Sequence, residues 1–372
     1  MNKVAVIGAN EPLLPFYRRA KELGYYVVGI AWEEGAVCKP YCDKFYPVSF
    51  SEKERVLDIC RQENINGILS FSLESALPTV TYVAQSMGLV SNSYECLELT
   101  ATKYSQREAF CKSGLNVPEY YLIKEERELE MLDIAFPVIV KPVDSGGSQG
   151  ITKVDNPGML RNAYHYAKRC SKTDTVLVEE YIDGREFSIE HISHEGKHYL
   201  VQITDKVTSG PPHFIEMQHH QPALIPERLR NEISETVSKA LDALKIENSA
   251  SHTEIKINEK GELYVIEVGA RMGGDHITSE LVYLSTGYDF VQGAINLAIG
   301  KFEPPRFMFE KYSGIYFYSK LAPEIGNIIK NSKKYPDIVI SEMSAGDLPE
   351  VNSNADRKGY FIYQTDNHRL NL

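Results

Sequence analysis

The chain has 372 residues, of which 43% are hydrophobic and 24% charged, which suits a globular protein with a large core and two or three domains. Its net charge of −11 leaves no basic footprint for nucleic acid or an anionic membrane face, so its expected partners are small molecules. No stretch approaches the ~18 apolar residues of a membrane span, "MNKVAVIGAN" reads as a strand rather than a leader, and Cys38, Cys42, Cys60, Cys96, Cys111 and Cys170 show neither disulfide nor zinc spacing, so a cytoplasmic protein with reduced thiols is expected.

Residues 1 to about 95 alternate strand and helix signals. "KVAVIG", "YYVVGI" and "INGILSF" read as strands, and "LPFYRRAKELG", "EKERVLDICRQEN" and "ALPTVTYVAQSMG" as helices. This alternation predicts a parallel, Rossmann-like sheet. Its first turn, "GANEPL", lacks the second and third glycines of a dinucleotide fingerprint, which disfavours NAD. A helix ending on glycine follows at "TATKYSQREAFCKSG", then a compact α+β segment to about residue 180. From 185 to 268 the pattern is mostly strand, broken by a helix at "PERLRNEISETVSKALDALKI" with Leu229, Ile233, Val237, Leu241 and Leu244 on one face. One further helix is expected over 279–300, and a small α+β unit after "FEPPRF".

"FPVIVKPVDSGGSQGITKV" is a strand, a glycine-rich loop and a second strand. The lysine precedes the glycines and no helix follows, so this is not a Walker A loop. A hairpin lid is expected, in which the backbone N–H groups of 145–150 form an anion nest with Lys141 at its base. A flexible hairpin tip with a solvated lysine is the competing reading. In "TVLVEEYIDGREFSIE", the linker "EEYI" has backbone groups to offer an adenine edge, and Glu186 a carboxylate for ribose.

"HTEIKINEKGELYVIEVGARMGG" carries the most specific signal. With a turn at 258–261, Ile257 is expected opposite Glu262 and Glu254 opposite Val265. Glu254 and Glu267 then become diagonal neighbours, about 7–8 Å apart at Cβ, on a face shared with Lys256, Leu263 and Val265. Two facing carboxylates repel without a cation, and they suit Mg²⁺, which takes oxygen ligands at about 2.0–2.1 Å. Arg271, just beyond, is placed to clamp a carboxylate or a phosphoryl group.

In this order Lys103, Lys141 with its loop, "EEYIDGREFS", "HTEIKI" and "VIEVGARMGG" resemble the ATP-grasp enzymes over residues 1 to about 300. The likeness is strongest to the L-amino acid ligase branch, and extends to carbamoyl phosphate synthetase, biotin carboxylase and the purine-pathway carboxylate ligases. It implies an α/β and α+β multidomain fold: a Rossmann-like domain over 1–100, a linker helix and glycine-loop lid over 101–181, a catalytic antiparallel-sheet half over 182–303, and a small C-terminal α+β subdomain over 304–372.

The same resemblance implies site residues. Lys103 and Lys141 would contact ATP phosphates, covered by Ser145, Gly146, Gly147, Ser148 and Gly150. Glu179, Glu180 and Ile182 would lie along adenine, with backbone groups of Glu179 and Ile182 bonding it, and Glu186 would bind ribose. Glu254 and Glu267 would hold one or two Mg²⁺, with Mn²⁺ as a substitute. Arg271 would bind the substrate carboxylate, and Lys206, Glu216, His219, His252 and His276 would line the acceptor side. Gly269 stands where many relatives place an asparagine ligand, Thr102 where aspartate is common, and the chain stops soon after "FIYQTDN", where relatives continue into a helix.

The implied activity is an ATP-dependent carboxylate–amine ligase acting through an acyl phosphate, with a homodimer as the default assembly. The alternatives are a bicarbonate-using carboxylase or carbamoyl phosphate-type enzyme, and a catalytically silent nucleotide-binding protein.

Overall fold

The computed structural model describes residues 1–372. Strands β1 (Lys3–Ile7), β2 (Tyr26–Ala31), β3 (Lys44–Pro47) and β4 (Gly67–Leu69) form a parallel sheet in the order β3-β2-β1-β4. The sequence pattern foresaw three of these. The fourth, "KFYP", is a half-exposed edge strand with no apolar run to announce it, and Pro47, which cannot donate to a ladder, ends it.

A second sheet is built from β5 (Tyr120–Ile123), β6 (Val138–Pro142), β7 (Thr152–Val154) and β8 (Val176–Glu180), in the order β5-β8-β6-β7 and antiparallel throughout. The helix Pro157–Cys170 lays Leu160, Ala163, Tyr164 and Ala167 against it. The glycine-rich loop joins β6 to β7, as the hairpin reading requires.

The third sheet contains β9 (Arg185–His194), β10 (Lys197–Thr208), β11 (Glu216–Gln221), β12 (Ser249–Ile257), β13 (Leu263–Gly269), β14 (Tyr312–Tyr318), β15 (Ile338–Met343) and β16 (Gly359–Thr365). All are antiparallel, in the order β13-β12-β9-β10-β11-β14-β16-β15. The last three strands therefore extend this sheet rather than forming one of their own.

Period-two alternation gives the sheet two different faces. Phe187, Ile189, Ile203 and Ile255 pack with Ile233, Val237 and Leu241 of the helix Glu227–Ala243. Glu186, Ser188 and Glu190 of β9 and His252, Glu254 and Lys256 of β12 point the other way, in matched pairs. A polar strip is thus fixed in place by an apolar layer behind it.

The single helix expected over 279–300 is broken into a π-turn at Ile277–Leu281, a short helix at Val282–Thr286 and a longer one at Phe290–Ala298. The break has a local cause: Gly287 takes φ +73° and Asp289 caps the next helix by accepting from the Gln292 N–H. Apolar residues of these segments join the N-terminal sheet to the large one in a continuous cluster that includes Val6, Phe16, Phe71, Ala250, Val282 and Ile295.

Candidate active site

A cavity of about 170 Å³ opens between the lid sheet and the polar face of the large sheet. Its floor is the β12–β13 hairpin. Asn258 Oδ1 accepts from the backbone N–H groups of Lys260 and Glu262, and Asn258 N–H donates to the Glu262 carbonyl. The turn is closed by Asn258 and Glu262, so Ile257 pairs with Leu263, one residue later than the sequence reading placed it.

A β-bulge at Ile266 then changes the register again, and Glu254 comes to stand directly opposite Glu267 rather than diagonal to it. Leu263 and Val265 turn into the apolar core instead of sharing the site face, while Ile266 and Glu267 both line the cavity.

The two acids do not face one another unneutralised. Lys103 Nζ lies 2.9 Å from a Glu267 oxygen, and Lys206 Nζ lies 2.7 Å from Glu254. Lys206 also reaches Glu216 at 2.7 Å and Glu186 at 3.0 Å. Burial opposes the charge on Lys206, but Glu216, Glu254 and Glu186 outweigh it and raise its pKa well above the usual lysine value. Burial likewise works to raise the Glu254 pKa, and Lys206 with His252 holds it well below the carboxylate range.

His252 completes the floor: its Nδ1 lies 2.5 Å from Glu190 and its Nε2 3.6 Å from Glu254. Burial disfavours the imidazolium, yet Glu190 and Glu254 push the histidine up to about 9. Opposed, partly buried carboxylates, which offer only oxygen donors, fit a hard divalent cation such as Mg²⁺. The lysines occupy the complementary charge in the protein alone.

The lid supplies the opposite wall. Ser145, Gly146, Gly147 and Ser148 line the cavity, and Lys103 Nζ donates to the Ser145 carbonyl at 2.8 Å. Gly147 and Ser148 adopt φ of +66° and +59°, the left-handed backbone of a tight turn. Gly150 does not line the cavity. It is packed against Pro142 and Cys170, at φ +74°, and closes the base of the loop.

Lys141 is buried at the foot of β6 and ion-paired to Glu179. Glu179 departs from the adenine-backbone expectation. Its main chain lies inside the sheet, paired to Tyr120 on one side and Ile139 on the other, so it is the carboxylate and not the backbone that borders the cavity. Glu180, Tyr181 and Ile182 follow along the rim, where the Tyr181 and Phe214 rings stack with centroids 6.0 Å apart and Lys256 Nζ lies 5.2 Å from the Tyr181 centroid.

Arg271 reaches the far end of the cavity. One of its terminal nitrogens donates to the Met272 carbonyl at 3.1 Å, the other lies 3.4 Å from Glu74, and Nε is buried without a hydrogen-bond partner. Gly269 is explained by this arginine: a Cβ there would come within 3.0 Å of Arg271 Cζ and of a Glu74 oxygen.

Two of the expected acceptor residues fall outside the cavity. His219 is fully buried behind Glu216, at 3.4 Å. His276 faces a second opening of about 830 Å³, paired with Glu280 at 3.1 Å. Asp275 lines the same second opening, held by two hydrogen bonds of 2.7 and 2.8 Å from Arg357. Atoms of Glu216, His219 and Asp275 lie within 4.8 Å of one another, and Lys206 and Arg357 supply their countercharge.

Sequence reasoning missed Glu74, Arg107, Glu190, Asp275 and Arg357. Glu190 was accessible from the alternation that already put Glu186 on the site face, and Arg107 from its position one helical turn after Lys103. The others depend on contacts between distant segments.

Residues 134–280, from the lid hairpin to just past Arg271, match the ATP-grasp domain family. The chain is 27% identical over 266 residues to the carbamoyl phosphate synthase large chain of Thermoanaerobacter, an alignment covering 69% of this chain and 24% of that one. It is 26% identical over 249 residues to the alanine–anticapsin ligase of Bacillus subtilis, covering 60% and 52%. The chain thus spans about half, or less, of the length of these curated relatives. In fold it is similar to the crystal structure of the L-amino acid ligase from Bacillus licheniformis, with a TM-score of 0.82 over 98% of this chain and 93% of that one, at 24% identity.

Proposed function

We propose, for a chain that carries an ATP-grasp domain, that it joins an amino acid or a related small carboxylate to an amine at the expense of ATP. The observation that carries this reading is one cavity in which buried Lys103, Lys141 and Lys206 meet the opposed acids Glu254 and Glu267 beneath a glycine-rich loop. It contains no serine or cysteine activated by a neighbouring base, so positioning and charge neutralisation are the chemistry on offer.

In this reading the triphosphate lies along the loop, with Lys103 and Lys141 on its oxygens and the adenine beside Tyr181 and Ile182. Glu254 and Glu267 would hold Mg²⁺, which draws charge from the phosphates when bound. Arg271 orients the substrate carboxylate. One carboxylate oxygen attacks the γ-phosphorus, the bond to the β-bridging oxygen breaks, and ADP leaves. The amine nitrogen then attacks the acyl carbon, inorganic phosphate departs with the bonding pair, and the nitrogen gives up its proton. The loop excludes water, which would otherwise hydrolyse the acyl phosphate.

Hydroxylamine trapping tests this directly. Purified protein with Mg-ATP and a panel of amino acids and other carboxylates should yield a hydroxamate from at least one of them. ADP release that depends on bicarbonate, with no hydroxamate, would replace the reading with carbamoyl phosphate or carboxylase chemistry, in line with the carbamoyl phosphate synthase relative. ATP binding with no turnover across the panel would leave a nucleotide-binding protein.

A further inference from the structure

Arg107 is the largest side chain in the protein that is fully withdrawn from solvent. It lies on the helix Lys103–Lys112, one turn after Lys103, and its guanidinium has a single acidic partner. Nε donates to Glu179 Oε2 at 3.2 Å, and a terminal nitrogen lies 3.1 Å from the same oxygen. Both terminal nitrogens lack a well-formed hydrogen bond. The other oxygen of Glu179 holds Lys141. Two cations thus share one buried carboxylate, and only Lys141 and Glu179 border the cavity.

We infer that Arg107 is a positioning residue for nucleotide binding: by holding Glu179 from behind, it lets Lys141 leave that carboxylate for a phosphate oxygen. The inference rests on the reading of Lys141 as a phosphate ligand. With Glu179 paired to Lys141 alone, moving the lysine would strand an ionised carboxylate in a dry interior, and stranding one partner of a buried pair is strongly unfavourable. With Arg107 in place Glu179 stays paired throughout, and the surplus positive charge of the trio is what an incoming phosphate neutralises. Burial works against ionised Glu179, and Arg107 and Lys141 together hold its pKa below the usual range, so the carboxylate is charged before nucleotide arrives.

The experiment is calorimetric titration of the full-length protein with Mg-ADP, with thermal unfolding as the control for folding. Arg107→Met is expected to weaken binding about 10-fold or more, because Glu179 then retains Lys141. Arg107→Met/Glu179→Gln is expected to bind within about 3-fold of wild type, a non-additivity that marks two residues acting through one another. Arg107→Lys keeps the charge and is expected to fold and to bind within the same margin. A double variant as weak as Arg107→Met, or an Arg107→Lys protein of normal unfolding temperature that binds tenfold worse, would overturn the inference. So would wild-type affinity in Arg107→Met. Lys141→Met separates the two levels: undiminished binding in that variant removes the phosphate-ligand reading itself, whereas weakened binding there beside a silent Arg107→Met removes only the role of Arg107.

Discussion

Glu254 and Glu267 stand directly opposite each other across the β12–β13 ladder, and each is neutralised by a different lysine, Lys206 at 2.7 Å and Lys103 at 2.9 Å. A cation at this pair must take over from Lys103, which phosphate oxygens would draw away from Glu267, so metal and nucleotide binding are expected to reinforce one another. Glu267→Gln should keep its fold, because the side chain is only partly buried, at 22% exposure. Its Mg-dependent ADP release should fall about 100-fold or more, the scale on which one charged group at a transition state acts. Steady-state rates against Mg²⁺ concentration test this, and a variant with wild-type rate and metal dependence would remove Glu267 from the site.

Arg271 donates to the Met272 carbonyl at 3.1 Å, reaches Glu74 at 3.4 Å and leaves its buried Nε without a partner. That unpaired N–H is a hydrogen bond in reserve for a ligand. Arg271→Lys retains the charge but not the planar fork, and is expected to lower kcat/KM for the carboxylate about 100-fold while Mg-ADP affinity stays within about 3-fold. An equal loss in nucleotide affinity would move Arg271 to the phosphate side.

Most of what was legible in the sequence was local. The polar strip could be read from alternation along "REFSIE" and "HTEIKI", because a strand's faces repeat every second residue and the apolar partners of Glu186 and Glu254 were visible beside them. The opposition of Glu254 and Glu267 was not, since it depends on a bulge at Ile266 and on Asn258 closing the turn, either of which moves the register by a residue. Arg107 and Glu179 lie 72 positions apart and meet only when the helix packs under the lid sheet. His276 has φ +63°, and that backbone turn carries its ring to the second opening, which no spacing rule conveys.

Adjacent glycines in "RMGG" should respond differently. A Cβ on Gly273 would lie 2.6 Å from His252 Nδ1 and 3.0 Å from Glu190 Oε1, where the two share a buried hydrogen bond. A Cβ on Gly274 would meet nothing closer than Ser72 Cβ at 3.6 Å. Gly273→Ala is therefore expected to cost about 1–3 kcal/mol through overpacking and to lower the unfolding temperature, while Gly274→Ala leaves it near wild type. Equal shifts in the two proteins would mean that the floor of the cavity yields more readily than its packing suggests.

Asp205, buried on β10, ties the end of the chain to the large sheet. It pairs with Arg185 at 2.7 Å and with Arg369, and accepts from the Leu224 N–H at 2.9 Å. Burial raises its pKa, and Arg369, the Leu224 amide and Arg185 outweigh burial and bring it below the ordinary value. Because the folded-state pKa is the lower one, the stabilisation is complete above the unfolded carboxylate pKa of about 3.9 and is lost as pH falls through the folded value. Asp205→Asn should therefore unfold at a lower temperature at pH 7, by the equivalent of about 1–3 kcal/mol for hydrogen bonds to a charged group. The deficit should shrink below about pH 4, where Asp205 of the unfolded wild-type chain begins to take up its proton. Unfolding temperatures of both proteins from pH 7 to pH 2 make the comparison. Curves that stay parallel over that range would show that the charge on Asp205 is not what anchors Arg369.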